Sequence, residues 1–309
     1  MDLRREILLG LSAALIVALA AFNLFADPVH PRWRKVREER SLLVYLEEEG
    51  TRRRMLFEEY LAGVVAGEVP GDWPRAALEA QAIIARTFTL GKLQRTGGTW
   101  ELHGTDVCTN VEHFQAYNAG LINDAIREAV RATRGLVIFH AGRPARTWFH
   151  ADAAGITATP QEGLGFPGRV RYLPSLKVPT DAGANAWTAS FSRDEVRRAA
   201  EATGHRLTDV REVRVARRGP SGRATVIQID DARVPAPAFR IALDPKRLRS
   251  NLILGVRVEG DRVVFSGRGF GHGVGMSQQG ARLMAEQGKT ARDIIHAFYH
   301  RVEIRRQWE

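Results

Sequence analysis

The chain has 309 residues, enough to bury a full core in one large domain or two coupled ones. Its 44% hydrophobic and 26% charged content is that of a globular protein and excludes a disordered one. The 45 Lys and Arg against 35 Asp and Glu leave a net charge of +10, which suits a polyanionic partner: nucleic acid, anionic lipid or an acidic cell wall. No helix-turn-helix, zinc-finger or RNA-binding signature directs that charge, and the alternating glycines of residues 267–275 have no G-x-G-x-x-G or P-loop spacing. Nucleic acid and nucleotide cofactors are therefore set aside.

The N-terminus opens with Arg4 and Arg5 and stays almost wholly apolar from Ile7 to Phe25, the pattern of a secretory signal or a single membrane anchor. Ala18-Leu19-Ala20 offers a small-residue cleavage site, whereas the length of the apolar run favours an uncleaved anchor. Arg32, Arg34, Lys35 and Arg37 follow it, so the positive-inside rule does not orient the segment. We read residues 1–26 as signal or anchor, 27–41 as a basic linker, and 42–309 as a body outside the cytoplasm, membrane-anchored or secreted. Its single cysteine, Cys108, excludes an intramolecular disulfide, and an exported lone thiol is a liability unless buried or bound to metal.

Along the body, SLLVYLEEEGTRRRMLFEEYLAGVVAGEV starts as a short strand and turn and becomes helical. DWPRAALEAQAIIARTFTLGKL predicts a helix with Asp72 as N-cap, Pro74 in the first turn and Gly91 as the stop. HGTDVCTNVEHFQAYNAG reads as loop, and INDAIREAVRATRG as a short helix ending at Gly135. LVIFHAGRPARTWFHADAAG alternates like a hairpin, and SRDEVRRAAEATG has the capping-box spacing at Ser192 and Glu195. VREVRVARR, GRATVIQID, AFRIAL and GVRVEGDRVVFSGRGFGHGVG predict strands, followed by helices over 277–287 and 290–299. The fold class expected is α+β. A helical portion at about 55–135 packs on a mostly antiparallel β portion at about 136–309, with a glycine-rich strand-to-helix segment near the C-terminus.

Chemistry concentrates in four places. Glu68 lies among Val64, Val65, Ala66 and Val69, and a carboxyl in apolar surroundings keeps its proton to higher pH, as a general acid requires. The alternative is a helix-terminal glutamate pointing into water. Ordinary glycoside hydrolysis uses two carboxylates, and neither Asp72 nor Glu79 has an evident pairing with Glu68. Lytic cleavage of peptidoglycan needs one, because the muramic acid 6-hydroxyl itself attacks C1 while a single acid protonates the leaving oxygen and then accepts the hydroxyl proton. Next, His103, Cys108 and His113 stand at five-residue steps and could form a three-ligand zinc site with Asp106 or water as the fourth ligand. The same residues fit a Cys108 nucleophile with a histidine base, or a buried cysteine beside two surface histidines. Gln115 and Tyr117 share a face if extended, to bind a sugar or line the core. Arg86 interrupts an apolar helix stretch and needs a partner, either a carboxylate such as Glu68 or a substrate group.

The fourth is GRGFGHGVGMSQQGARLMAEQG, residues 267–288, with glycine at every second position from Gly267 to Gly275. In an extended chain these glycines line one bare face, which lets a packed element or a ligand approach closely. His272 is then either at a site or a hydrogen-bonded structural residue.

Together, YLAGVVAGEVPGDWPRAALEAQAIIARTFTL, DVCTNVEHFQAY, WFHADAAGITATPQEGLG, LRSNLI and the glycine segment resemble the stage II sporulation protein D family, which includes amidase-enhancer proteins. The resemblance runs from about Leu42 to Tyr299. It implies an exported or membrane-anchored protein acting on peptidoglycan and, in sporulating relatives, lytic cleavage of glycan strands stripped of stem peptides. It implies Glu68 as the catalytic acid, zinc near the cleft at His103, Cys108 and His113, and substrate contacts from Arg86, Gln115, Tyr117, His272, Ser277 and Gln278. A cell-wall amidase is the partner it suggests, and stimulation of that amidase without catalysis is the alternative activity. Two departures stand out: Phe114 occupies the place of a second cysteine, and the serine-rich loop is replaced by His150 to Gly155. On this reading the glycines let a glycan or the Glu68 segment lie against the backbone, His272 sits at the cleft, and Ser277 caps the following helix.

Overall fold

A computed structural model describes residues 38–181, 183 and 185–309, so the expected signal or anchor at 1–26 and the linker up to residue 37 lie outside the described residues. Among the described residues no helix is long and apolar enough to cross a membrane. The protein is α+β, and its sheets are small and mainly antiparallel.

Leu42, Val44 and Leu46 point inward from β1 (Ser41–Leu46), which turns at Gly50 into its antiparallel partner β2 (Thr51–Leu56). The chain passes directly into α1 (Phe57–Glu68), buried on almost every side, and stops at the Val69-Pro70 extended step. The long α2 (Arg75–Thr96) follows. Proline at its N-cap, not Asp72, starts it, and it runs through Gly91 to end at Gly97, whose φ of 70° is the left-handed cap. A helical glycine costs only about 1 kcal/mol, so Gly91 does not stop a helix that is buried on both faces. After α3 (Trp100–His103), β3 (Val107–Cys108) joins β1 in parallel, and α4 (Asp124–Ala132) closes this half.

The next segment makes β4 (Leu136–His140) with β5 (Arg143–Pro144), then β6 (Phe149–His150) and the capped α5 (Pro160–Leu164). A distinct core then forms from β7 (Ala186–Ser192), α6 (Arg193–Ala202), β8 (Val213–Arg218), β9 (Ala224–Ile229), β10 (Ala232–Pro235), α7 (Ala236–Leu243), β11 (Ile253–Glu259) and β12 (Arg262–Arg268). Here AFRIAL is helix α7, not a strand. Pro235 and Pro237 fix the entry, and Ala236, Phe239, Arg240 and Leu243 make a buried i, i+3, i+4, i+7 face. The capping box at Ser192 and Glu195 is present.

The expected long strand ends at Arg268. Gly269, Gly271, Gly273 and Gly275 all have left-handed φ, between 71° and 101°, so the segment is a winding crossing and not a flat ribbon. A Cβ on Gly271 would meet the His150 Cβ at 2.8 Å, and one on Gly275 would overlap the Trp148 carbonyl. The bare backbone is thus packed against residues 148–154 at Gly269, Gly271 and Gly275, against Arg223 at Gly273 and against Trp187 at Gly267, not against the Glu68 segment. β13 (Met276–Ser277) pairs in parallel with β6, α8 (Gln278–Glu286) and α9 (Ala291–Phe298) follow, and β14 (Glu303–Arg306) returns to β4. Helix α2 serves two cores: Leu78, Ala82 and Ala85 face the N-terminal cluster, and Ala80, Ile83 and Ile84 face the cluster of α8 and α9.

Candidate active site around Glu68

Glu68 is the last residue of α1. Its Oε1 accepts the Ala116 backbone N–H at 2.9 Å, and the Gln278 amide donates to its main-chain carbonyl at 3.3 Å. Burial raises the carboxyl to about 7, against the opposing pull of the Ala116 N–H and the Gln278 side chain. A carboxyl balanced there can give a proton and take one back near neutral pH. Two residues on, Pro70 begins a cleft of about 640 Å³ whose walls include Trp73, Asn185, Gln279 and Arg282. Asp72 is exposed on that rim and Glu79 is paired with Arg75 at 2.7 Å, so neither enters the Glu68 niche.

The loop that carries Ala116 is pressed on α1: a Cβ on Gly67 would meet the Tyr117 nitrogen at 2.6 Å. Tyr117 stacks on Tyr60 at 5.7 Å and is half-buried. Gln115 turns to the core, where its Nε2 donates to Thr89 Oγ1 at 2.9 Å with 2% of the residue exposed, so no surface is left for a sugar. Upstream in the same loop, ligand atoms of His103, Cys108 and His113 lie within 4.8 Å of one another, and His103 Nε2 is 3.1 Å from His113 Nδ1. One thiol and two imidazoles with this spread fit a tetrahedral zinc, whose donors need only close slightly. Asp106 is not with them. Its carboxylate accepts the Leu43 N–H at 2.8 Å and faces Arg40, which excludes it as the fourth ligand. Tyr45 stacks on His103 at 4.3 Å and orients the ring. Lys92 donates to the His113 carbonyl and counters the burial that raises the Cys108 thiol.

Arg86 is elsewhere. It is fully buried and forms a forked pair with Glu58, Nη2 to Oε2 at 2.6 Å and Nε to Oε1 at 3.0 Å. Glu58 also accepts the Gly135 N–H and the Trp308 indole N–H, both at 3.0 Å. This is a structural knot at the far end of α1, roughly 15 Å from Glu68 for ten residues of helix, and it leaves Arg86 no face for substrate. His272 accepts the Val274 N–H on Nδ1 and opens to a separate recess with Leu164, Pro237, Arg240 and Ile241. Burial and the charges of Arg240 and Arg223 push it down to about 3, so it stays neutral. Ser277 is wholly buried: its hydroxyl caps α8 by accepting the Gly280 N–H at 3.2 Å and also takes the Ala153 N–H.

The structure therefore brings Gln278 and the Tyr117 segment to Glu68 and keeps Arg86 away. Sequence reasoning missed the Ala116 amide, which as a backbone donor has no side-chain signal, and Glu58, whose helix position was readable but whose partner was not.

The family model described as Stage II sporulation protein (SpoIID) matches residues 45–140, and one described as a domain of unknown function (DUF8618) matches residues 181–275. The chain is 30% identical over 249 residues to an uncharacterized protein of Brachyspira hyodysenteriae, covering 80% of this chain and 66% of that protein. It is 30% identical over 289 residues to stage II sporulation protein D of Bacillus amyloliquefaciens, covering 85% and 78%. An amidase enhancer of Bacillus subtilis is 24% identical over 291 residues, 77% of this chain and 39% of that protein.

Proposed function

We propose, for a chain that belongs to the stage II sporulation protein D family, that its body acts outside the cytoplasm as a peptidoglycan lytic transglycosylase with Glu68 as the single acid–base. The observation that carries this is a carboxyl at the end of α1, two residues before the rim of a cleft, whose Oε1 takes the Ala116 N–H while burial raises its proton affinity, with Asp72 and Glu79 turned away from it. Protonated Glu68 gives its proton to the glycosidic oxygen as the bond to muramic acid C1 breaks. The 6-hydroxyl of the same sugar bonds to C1 and passes its proton to the Glu68 carboxylate, which restores the acid and leaves a 1,6-anhydro end. The Ala116 N–H steadies the ionised form between the two steps. Gln279, in the first turn of α8, lines the cleft where the strand would pass, and buried Gln278 beside it holds the Glu68 main-chain carbonyl. The N-terminal segment would tether the body to the membrane.

His103, Cys108 and His113 would hold zinc, with solvent as the fourth ligand. Bound zinc would fix the loop that presents Ala116 to Glu68. Cys108→Ser is expected to lose zinc by native mass spectrometry and to melt at lower temperature. Full zinc retention by that variant would remove Cys108 from the ligand set.

The cleavage test incubates the protein with glycan strands lacking stem peptides and reads 1,6-anhydromuramic ends by mass spectrometry. The wild type is expected to make them, and Glu68→Gln to fold and make fewer by at least about a hundredfold. Ends made equally by both proteins sink the role of Glu68. The amidase enhancer relative supports a second reading, in which the protein binds wall and stimulates a separate amidase. No new ends from either protein, with stimulation surviving in Glu68→Gln, would put that reading first.

A further inference from the structure

We propose that the recess between α5 and α7 binds a single-chain anionic amphiphile, with its charged head on Arg240 and its aliphatic chain along α7. The recess holds about 640 Å³, within the size range of small-molecule sites. Glu68 does not line it, so the inference is independent of the cleavage reading. Leu164 on α5, Ala202 at the end of α6, and Pro237, Ala238 and Ile241 on α7 form its apolar walls. Helix α7 turns Ala236, Phe239, Arg240 and Leu243 to the core, while Ala238, Ile241 and Ala242 are exposed, Ile241 to 63%. Its outward side thus bears no charged side chain, where a solvated helix is ordinarily polar.

Arg240 supplies the charge. Its Nε donates to the Leu248 carbonyl at 2.8 Å, and its Nη2 to the carbonyls of Pro245 at 3.1 Å and Arg249 at 3.0 Å. These dipoles fix the guanidinium but bring no negative charge. Among the described residues no carboxylate pairs with it, and Nη1 donates no hydrogen bond although that atom is not sealed from solvent. The two other buried arginines among the described residues are compensated: Arg86 is paired with Glu58, and Arg223 is supported by the charges of Glu162 and Asp152. Burial pulls Arg240 down to about 10 with no carboxylate to oppose it. A buried cation without a counter-ion is costly, and an anion from outside would complete this one.

His272 shares the wall. Its Nδ1 accepts the Val274 N–H, and burial, then the charge of Arg240, keeps the ring neutral. The recess therefore offers one fixed positive charge, and no acid occurs among the described residues that line it. That combination fits one anionic head on an aliphatic body. A peptide would bring an amide at every residue, and among the described residues of the wall Thr203 carries the only hydroxyl to meet them.

The test is calorimetric titration of the full-length protein with decanoate, decyl phosphate and uncharged decanol, each below its micelle concentration. We expect one molecule per chain, with at least one of the anions about tenfold tighter than decanol. The tighter anion identifies the head group as carboxylate or phosphate. Arg240→Gln should remove the tenfold advantage and leave decanol binding unchanged. Because Arg240 also clamps the turn at 245–249, Ile241→Glu is the second variant: it keeps that clamp and places a negative charge on the exposed wall. It should weaken the anion about tenfold and decanol much less, at an unaltered melting temperature. Equal affinity of the wild type for the anions and decanol, or a loss in Ile241→Glu no greater for the anion than for decanol, overturns the proposal. Tighter binding of acetyl-Ala-Ala than of either amphiphile would also overturn it and assign the recess to a peptide C-terminus.

Discussion

In the proposed reaction Glu68 acts as an acid and then as a base, and burial sets the proton affinity that both steps need. Its ordinary value is 4.5 and its folded value about 7, so the folded state binds the proton more tightly than the unfolded chain does. Stability from this preference is complete below pH 4.5 and is lost as pH rises to about 7, because the folded protein must then hold an ionised carboxylate in a desolvated niche. Glu68→Gln is neutral throughout. It should match the wild type near pH 4 and exceed it at pH 8 by something on the order of 1–3 kcal/mol, read by denaturant unfolding at both pH values. Parallel pH profiles for the two proteins would mean that the niche is wet. The apolar run around Glu68 made this residue legible in sequence, since four neighbours of one type mark a desolvated site. Arg86 was legible only as a demand for a partner. Glu58 and Glu68 both sit on α1, and only the fold decides which end faces Arg86.

At the scale of elements, legibility followed how local the determining interaction is. The capping box at Ser192 and the Ser277 cap depend on residues within one turn, and both were visible. The end of α2 depended on tertiary burial: apolar residues on two faces carry the helix past Gly91, and a glycine tells little where packing on both sides outweighs its cost of about 1 kcal/mol. AFRIAL misled for a related reason. Phe and Ile suit a strand, but Pro235 and Pro237 preset a helical entry and the i, i+3, i+7 face at Ala236, Phe239 and Leu243 finds the second core. The glycine segment was legible as a site of close approach. What approaches was not, because residues 148–152 are more than a hundred positions away in sequence and meet it through the parallel pairing of β13 with β6 and the Asp152–Phe270 bridge.

One buried carboxylate is a main joint between the unit of β7 to β12 and the half that carries Glu68. Glu162, 2% exposed at the start of α5, accepts the Ser221 N–H at 3.0 Å, the Ser221 hydroxyl at 2.5 Å and the Arg223 N–H at 3.2 Å. Arg223 answers from the other side, donating to the Ile156 carbonyl at 2.7 Å and the Ala153 carbonyl at 2.8 Å. Burial pulls its guanidinium down to about 10 while the charge of Glu162 holds it up, so the carboxylate keeps a buried cation in place at the junction. The second unit keeps its place against the α5 segment only while this junction is rigid. Glu162→Gln keeps the shape and removes the charge, leaving Asp152 as the carboxylate that supports buried Arg223; a loss of about 1–3 kcal/mol is expected. Hydrogen exchange should then rise together in residues 153–165 and 219–224, because the lost charge loosens both sides of one contact. Exchange confined to 160–165 would mean that the second unit is held by other contacts and does not depend on Glu162.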